Sequence, residues 1–169
     1  VRKLIRKRNI DILHGRIHVP TLMAAIARKL SRRKPKLLFD IRGFFPEEYT
    51  DAGIWRENGT IYRAVKRVER WLMKESDAFV VLTEKAKNLL FPECSGMPDM
   101  DTDKFGRPVA VIPCCVDLNG RFFAERSTLR AKMRAELGIG DRRAYVHAGA
   151  LGGLYLTEQI ADLLAAARQ

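Results

Sequence analysis

Polar residues crowd the ends of several short apolar runs in this sequence. The first run ends in His14-Gly15-Arg16-Ile17-His18 and the second in Asp40-Ile41-Arg42-Gly43, with Glu48 a few residues on. The third ends in Thr83-Glu84, the fourth in Pro113-Cys114-Cys115-Val116-Asp117 and the fifth in His147-Ala148-Gly149. Gathered at one edge, such imidazoles, carboxylates and guanidiniums can hold an anion, polarise a hydroxyl or orient one another. Asp40 beside Arg42 admits two readings, a structural ion pair or a charged pair that acts on a substrate.

Gly149-Ala150-Leu151-Gly152-Gly153 follows the fifth run and precedes a helical pattern. Glycines let a backbone approach a phosphate, and a helix N-terminus offers free N–H groups. A tight packing turn is the other reading of the same residues. The stretch has neither the G-x-G-x-x-G spacing nor the Walker G-K-[ST], so neither dinucleotide binding nor a P-loop ATPase is supported. His14 and His18 lie four apart but flank a glycine and precede Pro20, which excludes a zinc-binding helix face; no metal is expected. His147, inside an apolar run, reads as a core residue, and Cys114 and Cys115 read as packing residues at a buried strand end.

The elements that must position these groups follow from hydrophobic period. Near-continuous apolar runs predict strands over 10–14, 37–41, 78–82, 109–112 and 144–148, each of the kind buried on both faces. Leu22, Ala25, Ile26 and Leu30 repeat at helical spacing after Pro20. Ile61, Val65, Val68 and Leu72 do so after Thr60, with Arg63, Lys66, Arg67 and Arg70 turned outward. Leu129, Met133 and Leu137 make a third stripe, opened by Ser127 and stopped at Gly138; Ile160, Leu163, Leu164 and Ala167 make a fourth. The alternation implies right-handed crossovers and an α/β fold, a Rossmann-like, doubly wound, mostly parallel sheet. Ligands of such sheets bind at the carboxyl ends of the strands, where the polar residues are. Residues 91–107, polar and broken by Pro and Gly, read as a surface loop.

At 169 residues and 47% hydrophobic, the chain can bury a core, which argues against disorder and low-complexity scaffolds. Its longest apolar stretches, such as 21–27 and 78–82, fall short of the roughly 20 residues a spanning helix needs, and no signal-peptide core follows the basic start. Three cysteines form no disulfide framework and fit a reducing cytoplasm. The net charge of +11 is uneven. Residues 1–36 carry 12 Lys and Arg against the single Asp11, and from Leu37 onward 19 basic residues meet 19 acidic ones. The excess sits in two segments, 2–8 and 28–36, which read either as solvated surface or as attractants for a polyanion.

The residues fall into a recognisable order. Leu38-Phe39-Asp40-Ile41-Arg42-Gly43-Phe44-Phe45 with Glu48, then Gly53-Ile54-Trp55, Tyr62-Arg63 and Lys66-Arg67-Val68-Glu69-Arg70, resemble one branch of the family-4, group 1 glycosyltransferases. The likeness continues through Ser76 to Glu84, Ile112 to Asp117 with Phe122 and Phe123, Arg134 to Gly138, and Gly149 to Tyr155. It spans nearly the whole chain.

The resemblance implies a partial GT-B fold, in which two Rossmann-like domains face a cleft, the donor bound mainly by the C-terminal one and the acceptor by the N-terminal one. On that map residues 1–137 are a partial acceptor-side domain and 138–169 a linker with the first strand and helix of the donor-side domain. The Glu-x7-Glu region that grips the donor is absent, so residues 1–169 alone are expected to be inactive. Gly149, Gly152 and Gly153 match the loop near the donor diphosphate. Arg42 and Gly43 match a loop where many relatives place a histidine facing the donor sugar. A guanidinium is no base near neutral pH, so Arg42 would act electrostatically, with Asp40 as its catalytic partner. His14, Arg16, Gly43, Glu48, Thr83 and Glu84 become acceptor-side cleft residues.

Such enzymes are similar in retaining anomeric configuration without metal; no cofactor is expected beside the nucleotide-sugar donor. The acceptor would be a saccharide or lipid-linked saccharide of cell-envelope polysaccharide synthesis. The basic segments would serve an anionic membrane surface at the inner face of the plasma membrane. The alternative is a non-enzymatic basic α/β module binding nucleic acid or another polyanion. Aromatic residues are not interleaved with its basic runs and no nucleic-acid recognition motif is present, so nucleic acid is not the expected partner. An epimerase-like Rossmann protein would need the dinucleotide fingerprint that these residues lack.

Overall fold

Leu37, Phe39 and Ile41 alternate along one strand and lie at 0%, 0% and 6% exposure, which makes that strand the centre of the core. The computed structural model describes residues 1–94, 100–117, 126–153 and 155–167. They divide into two compact units, Val1–Cys114 and Cys115–Gln169.

In the first unit, helix α1 (Arg2–Lys7) leads to strand β1 (Ile12–Arg16), helix α2 (His18–Lys29) and strand β2 (Lys36–Ile41). Helices α3 (Phe45–Asp51) and α4 (Thr60–Glu75) connect to β3 (Ala78–Val81), and helix α5 (Glu84–Leu90) with a short 3-10 turn leads on to β4 (Met100–Thr102) and β5 (Pro108–Val111). The sheet order is β1-β2-β3-β5-β4, parallel except for the β4–β5 pair. This is the mostly parallel, Rossmann-like arrangement read from the sequence. Each parallel crossover steps the same way across the sheet, and the handedness rule then sends α2, α4 and α5 to one face. Ala24 and Ala25 of α2, Leu72 of α4 and Phe91 after α5 pack there on Phe39, Phe79, Val81 and Val109.

The expectation of strands buried on both faces is corrected. The alternate positions Leu38, Ala78, Val80 and Ala110 are half-buried, and Ile12 is 63% exposed. β1 begins two residues later than the apolar run, because the chain first turns through Asn9 at φ 49° and Ile10 N–H reaches back to the Ile5 carbonyl. α2 starts at His18, so Pro20 falls in the first turn, where its missing N–H would have no helical partner anyway.

The expected loop over 91–107 holds a 3-10 turn and β4; residues 95–99 lie outside the described residues. Asp101 stands opposite Val109 in that antiparallel pair. Arg107 fastens the strand's approach. Its guanidinium donates to Asp103 and to the carbonyls of Met73 and Ser76 and lies 4.8 Å over the Phe79 ring. Asp103 is held below the usual carboxylate range: burial opposes its charge, but the hydrogen bonds from Arg107 outweigh burial.

The second unit carries helices α6 (Arg126–Glu136) and α7 (Thr157–Ala166), at the stripes expected from period. Arg134 ties the turn after α6 by donating to the carbonyls of Gly140 and Arg142, and Gly138 adopts φ 60°. No strand forms over 144–148, and Val146 is 86% exposed. A strand needs a neighbour for its backbone groups, and the described residues of this unit supply none. Phe122, Phe123 and Leu154, quoted in the resemblance, lie outside the described residues. Among the described residues no helix is long and apolar enough to cross a membrane.

Candidate active site

The carboxyl ends of β1 and β2 meet at Asp40. Its position in β2 puts it on the face away from the helices, opposite Arg16 and diagonal to His14 in the parallel register. The carboxylate is almost fully buried: Asp40 Oδ2 is 3.1 Å from His14 Nε2, and Oδ1 is 3.0 Å from Arg42 Nε. The Asp40–Arg42 ion pair that the sequence allowed is therefore present. Arg42 also donates from Nη1 to Cys114 Sγ at 3.8 Å, joining the segment that follows β5 to the cluster. The buried carboxylate thus hydrogen-bonds an imidazole, 56% exposed, and faces a guanidinium, 26% exposed, as an ion pair in which neither Oδ1 nor Nε has a hydrogen-bond partner among the described residues.

The other expected site residues of the first unit lie at or beyond the carboxyl ends of β1, β2 and β3. Gly43 and Glu48 touch, since a Cβ at Gly43 would collide with Glu48 Oε1. Arg16 is exposed beside Asp40 and pairs with no carboxylate among the described residues. Thr83 and Glu84 follow β3, one strand over, where both serve α5. Thr83 Oγ1 accepts the Ala86 N–H at 3.1 Å as a helix cap, and Glu84 lies 3.6 Å from Lys87. In the second unit, Gly152 and Gly153 take φ 79° and 62° before α7, and Gly152 N–H donates to Thr157 Oγ1 at 2.7 Å. Gly149 packs on His147.

Two further expectations are corrected. His147 is exposed rather than in a core, with Nε2 3.4 Å from the Ala150 carbonyl. Cys114 and Cys115 are exposed rather than packed, because β5 ends at Val111.

Sequence reasoning missed the support behind the site. His18, the first residue of α2 and buried, has Nε2 3.0 Å from Glu69 Oε2 on α4. Lys66 joins Glu69 to Glu47, and the Tyr62 hydroxyl donates to Glu47 at 3.1 Å. Lys66, expected to turn outward, is half-buried for this reason; Arg63, Arg67 and Arg70 are exposed as expected. Burial alone would raise Glu69, but hydrogen bonds from His18 and Lys66 hold it below the usual carboxylate range. Burial would likewise lower Lys66, and its bonds to Glu69 and Glu47 carry it above the ordinary lysine value. The hydrogen bond to Glu47 raises Tyr62.

His18 also stacks on Phe45 at 5.4 Å and meets Phe39 edge-on. Pinned at His18, the chain between β1 and α2 is forced through Ile17 at φ 61°, ψ 176°, a region nearly reserved for glycine. The strained residue adjoins Arg16, and its N–H donates to the Asp40 carbonyl at 2.9 Å.

Residues 1–119 match the family model described as Glycosyltransferase Family 4. The chain belongs to that family. No curated protein matches it. The matched span of this family-4 glycosyltransferase chain takes in β1 to β5 and the His14–Asp40–Arg42 cluster. Membership makes a sugar donor and an acceptor its substrates in general terms, and the cluster lies where a parallel α/β sheet presents its ligands.

Proposed function

We propose that this family-4 chain serves a retaining glycosyltransferase that moves a hexose from a nucleotide-sugar to a saccharide or lipid-linked acceptor in cell-envelope polysaccharide synthesis. Asp40 carries the reading: a nearly buried carboxylate that fixes His14 on one side and Arg42 on the other. In the reaction an acceptor hydroxyl attacks the anomeric carbon while the nucleoside diphosphate leaves. Arg42 offers a fixed positive charge to the leaving phosphate, and Asp40 keeps its guanidinium oriented. His14, with Nε2 turned to Asp40, presents the rest of its ring to a sugar hydroxyl.

Residues 138–169 belong to the donor side on this reading. The glycines of its 149–153 loop let the backbone approach the donor diphosphate, and no metal ion is required. Arg16, Glu48, Thr83 and Glu84 border the acceptor. The enzyme works in the cytoplasm, drawn to the anionic inner face of the plasma membrane by the basic residues of segments 2–8 and 28–36.

Proton NMR of the product tests the reaction, using the protein that carries this chain and a panel of nucleotide-sugars. Transfer with the donor's anomeric configuration kept supports the proposal. An inverted product, or no turnover with any nucleotide-sugar, overturns it.

A further inference from the structure

The two basic segments that the charge count singles out meet in space. α1 comes just before β1, and Ser31 to Arg33 come just before β2, so both lie at the amino-terminal edge of the sheet. Between them is a cavity of about 850 Å³ lined by Val1 and by Arg2, Lys3, Arg6, Ser31, Arg32 and Arg33. Along β2, from Lys36 to Ile41, roughly 16 Å separates this edge from the end that carries the Asp40 cluster.

Three features distinguish the cavity from ordinary solvated surface. Arg2, Lys3, Arg6 and Arg32 pair with no carboxylate among the described residues, while Arg33 is fixed by Asn9 at 2.9 Å and Asp11 at 2.8 Å. Ser31 is only 8% exposed, yet it lines the cavity and its hydroxyl bonds to no described residue. The wall is anchored, since Ile5 of α1 is fully buried and holds the helix that carries Arg2, Lys3 and Arg6. Like charges gathered around an open space repel one another and lower their energy when a multivalent anion enters.

We propose that this cavity binds a phosphate group of two or more negative charges, at a site separate from the sugar-transfer crevice. The cations supply the field, Arg33 a guanidinium already oriented, and Ser31 a hydroxyl donor. The group is carried either by an anionic lipid headgroup or by a soluble phosphorylated metabolite. The site does not depend on the transferase reading.

Calorimetry with inorganic pyrophosphate, and flotation with phosphatidylcholine vesicles with and without phosphatidic acid, test the site. The protein is compared with an Arg6→Ser/Arg32→Ser variant and with an Arg67→Ser/Arg70→Ser variant that removes two exposed cations of α4. Saturable one-to-one binding of pyrophosphate is expected, weakened about tenfold or more in the first variant and unchanged in the second. Flotation that pyrophosphate reverses assigns the headgroup as the source, and pyrophosphate binding without flotation assigns the soluble phosphate. Equal weakening in both variants, no saturable binding, or tighter binding to duplex DNA that pyrophosphate does not displace would overturn the site. Circular dichroism of both variants separates a lost site from a lost fold.

Discussion

Asp40 Oδ2 and His14 Nε2 lie 3.1 Å apart on neighbouring parallel strands, the carboxylate at 4% exposure and the imidazole at 56%. A group so buried gains nothing from water: Oδ2 is satisfied by His14, while Oδ1 has no hydrogen-bond partner among the described residues and faces Arg42 as an ion pair alone. The same carboxylate faces Arg42, which makes Asp40 the point through which β1 and the loop after β2 are aligned.

Gly15 sets how closely α2 approaches β1. A Cβ there would fall 2.6 Å from Thr21 Cα and collide with its side chain, and backbone cannot move aside as a flexible side chain can. Gly15→Ala is expected to destabilise the fold by about 1–3 kcal/mol, read from the urea midpoint at constant slope. An unchanged midpoint would show that α2 is not seated on β1 in this way.

Ile17 reverses the usual order of substitutions. Its backbone, at φ 61° and ψ 176°, suits glycine and strains any residue with a Cβ. Ile17→Gly is expected to be more stable than Ile17→Ala by about 1 kcal/mol, although glycine is ordinarily the costlier replacement. Thermal unfolding of the pair decides it, and a less stable glycine variant rejects the strain.

Acid should act through Glu69. Its folded-state pKa is depressed, so its stabilising contribution is complete above the ordinary carboxylate range, about 4.3. The contribution fades as pH drops from there through the lower folded-state value. Asp103, depressed beside Arg107, contributes with the same sign. Urea midpoints measured below about pH 4.3 should rise with pH in the wild type and rise less in Glu69→Gln, which retains the Asp103 part. Identical slopes would mean that Glu69 carries no such coupling.

The parallel core was legible because β2, β3 and β5 are short apolar runs, and α4 because its stripe from Ile61 to Leu72 spans about three turns. The 144–148 run has the same composition as a strand but no neighbour among the described residues of its unit, a condition composition cannot express. β4, with Asp101 and Thr102 in three residues, has no apolar signal and exists through its pairing with β5. The Asp40–Arg42 pair could be read because only Ile41 separates its members. His14 and Asp40 are 26 apart, and His18 and Glu69 are 51 apart, so only the fold reveals those contacts.

The role of Asp40 is tested most directly by kcat for sugar transfer in Asp40→Asn, in the protein that carries this chain, with the thermal midpoint recorded alongside. A fall of about a hundredfold in a variant that still folds is the expected result, because a neutral amide no longer fixes the Arg42 charge. Wild-type kcat in a folded Asp40→Asn protein would contradict it.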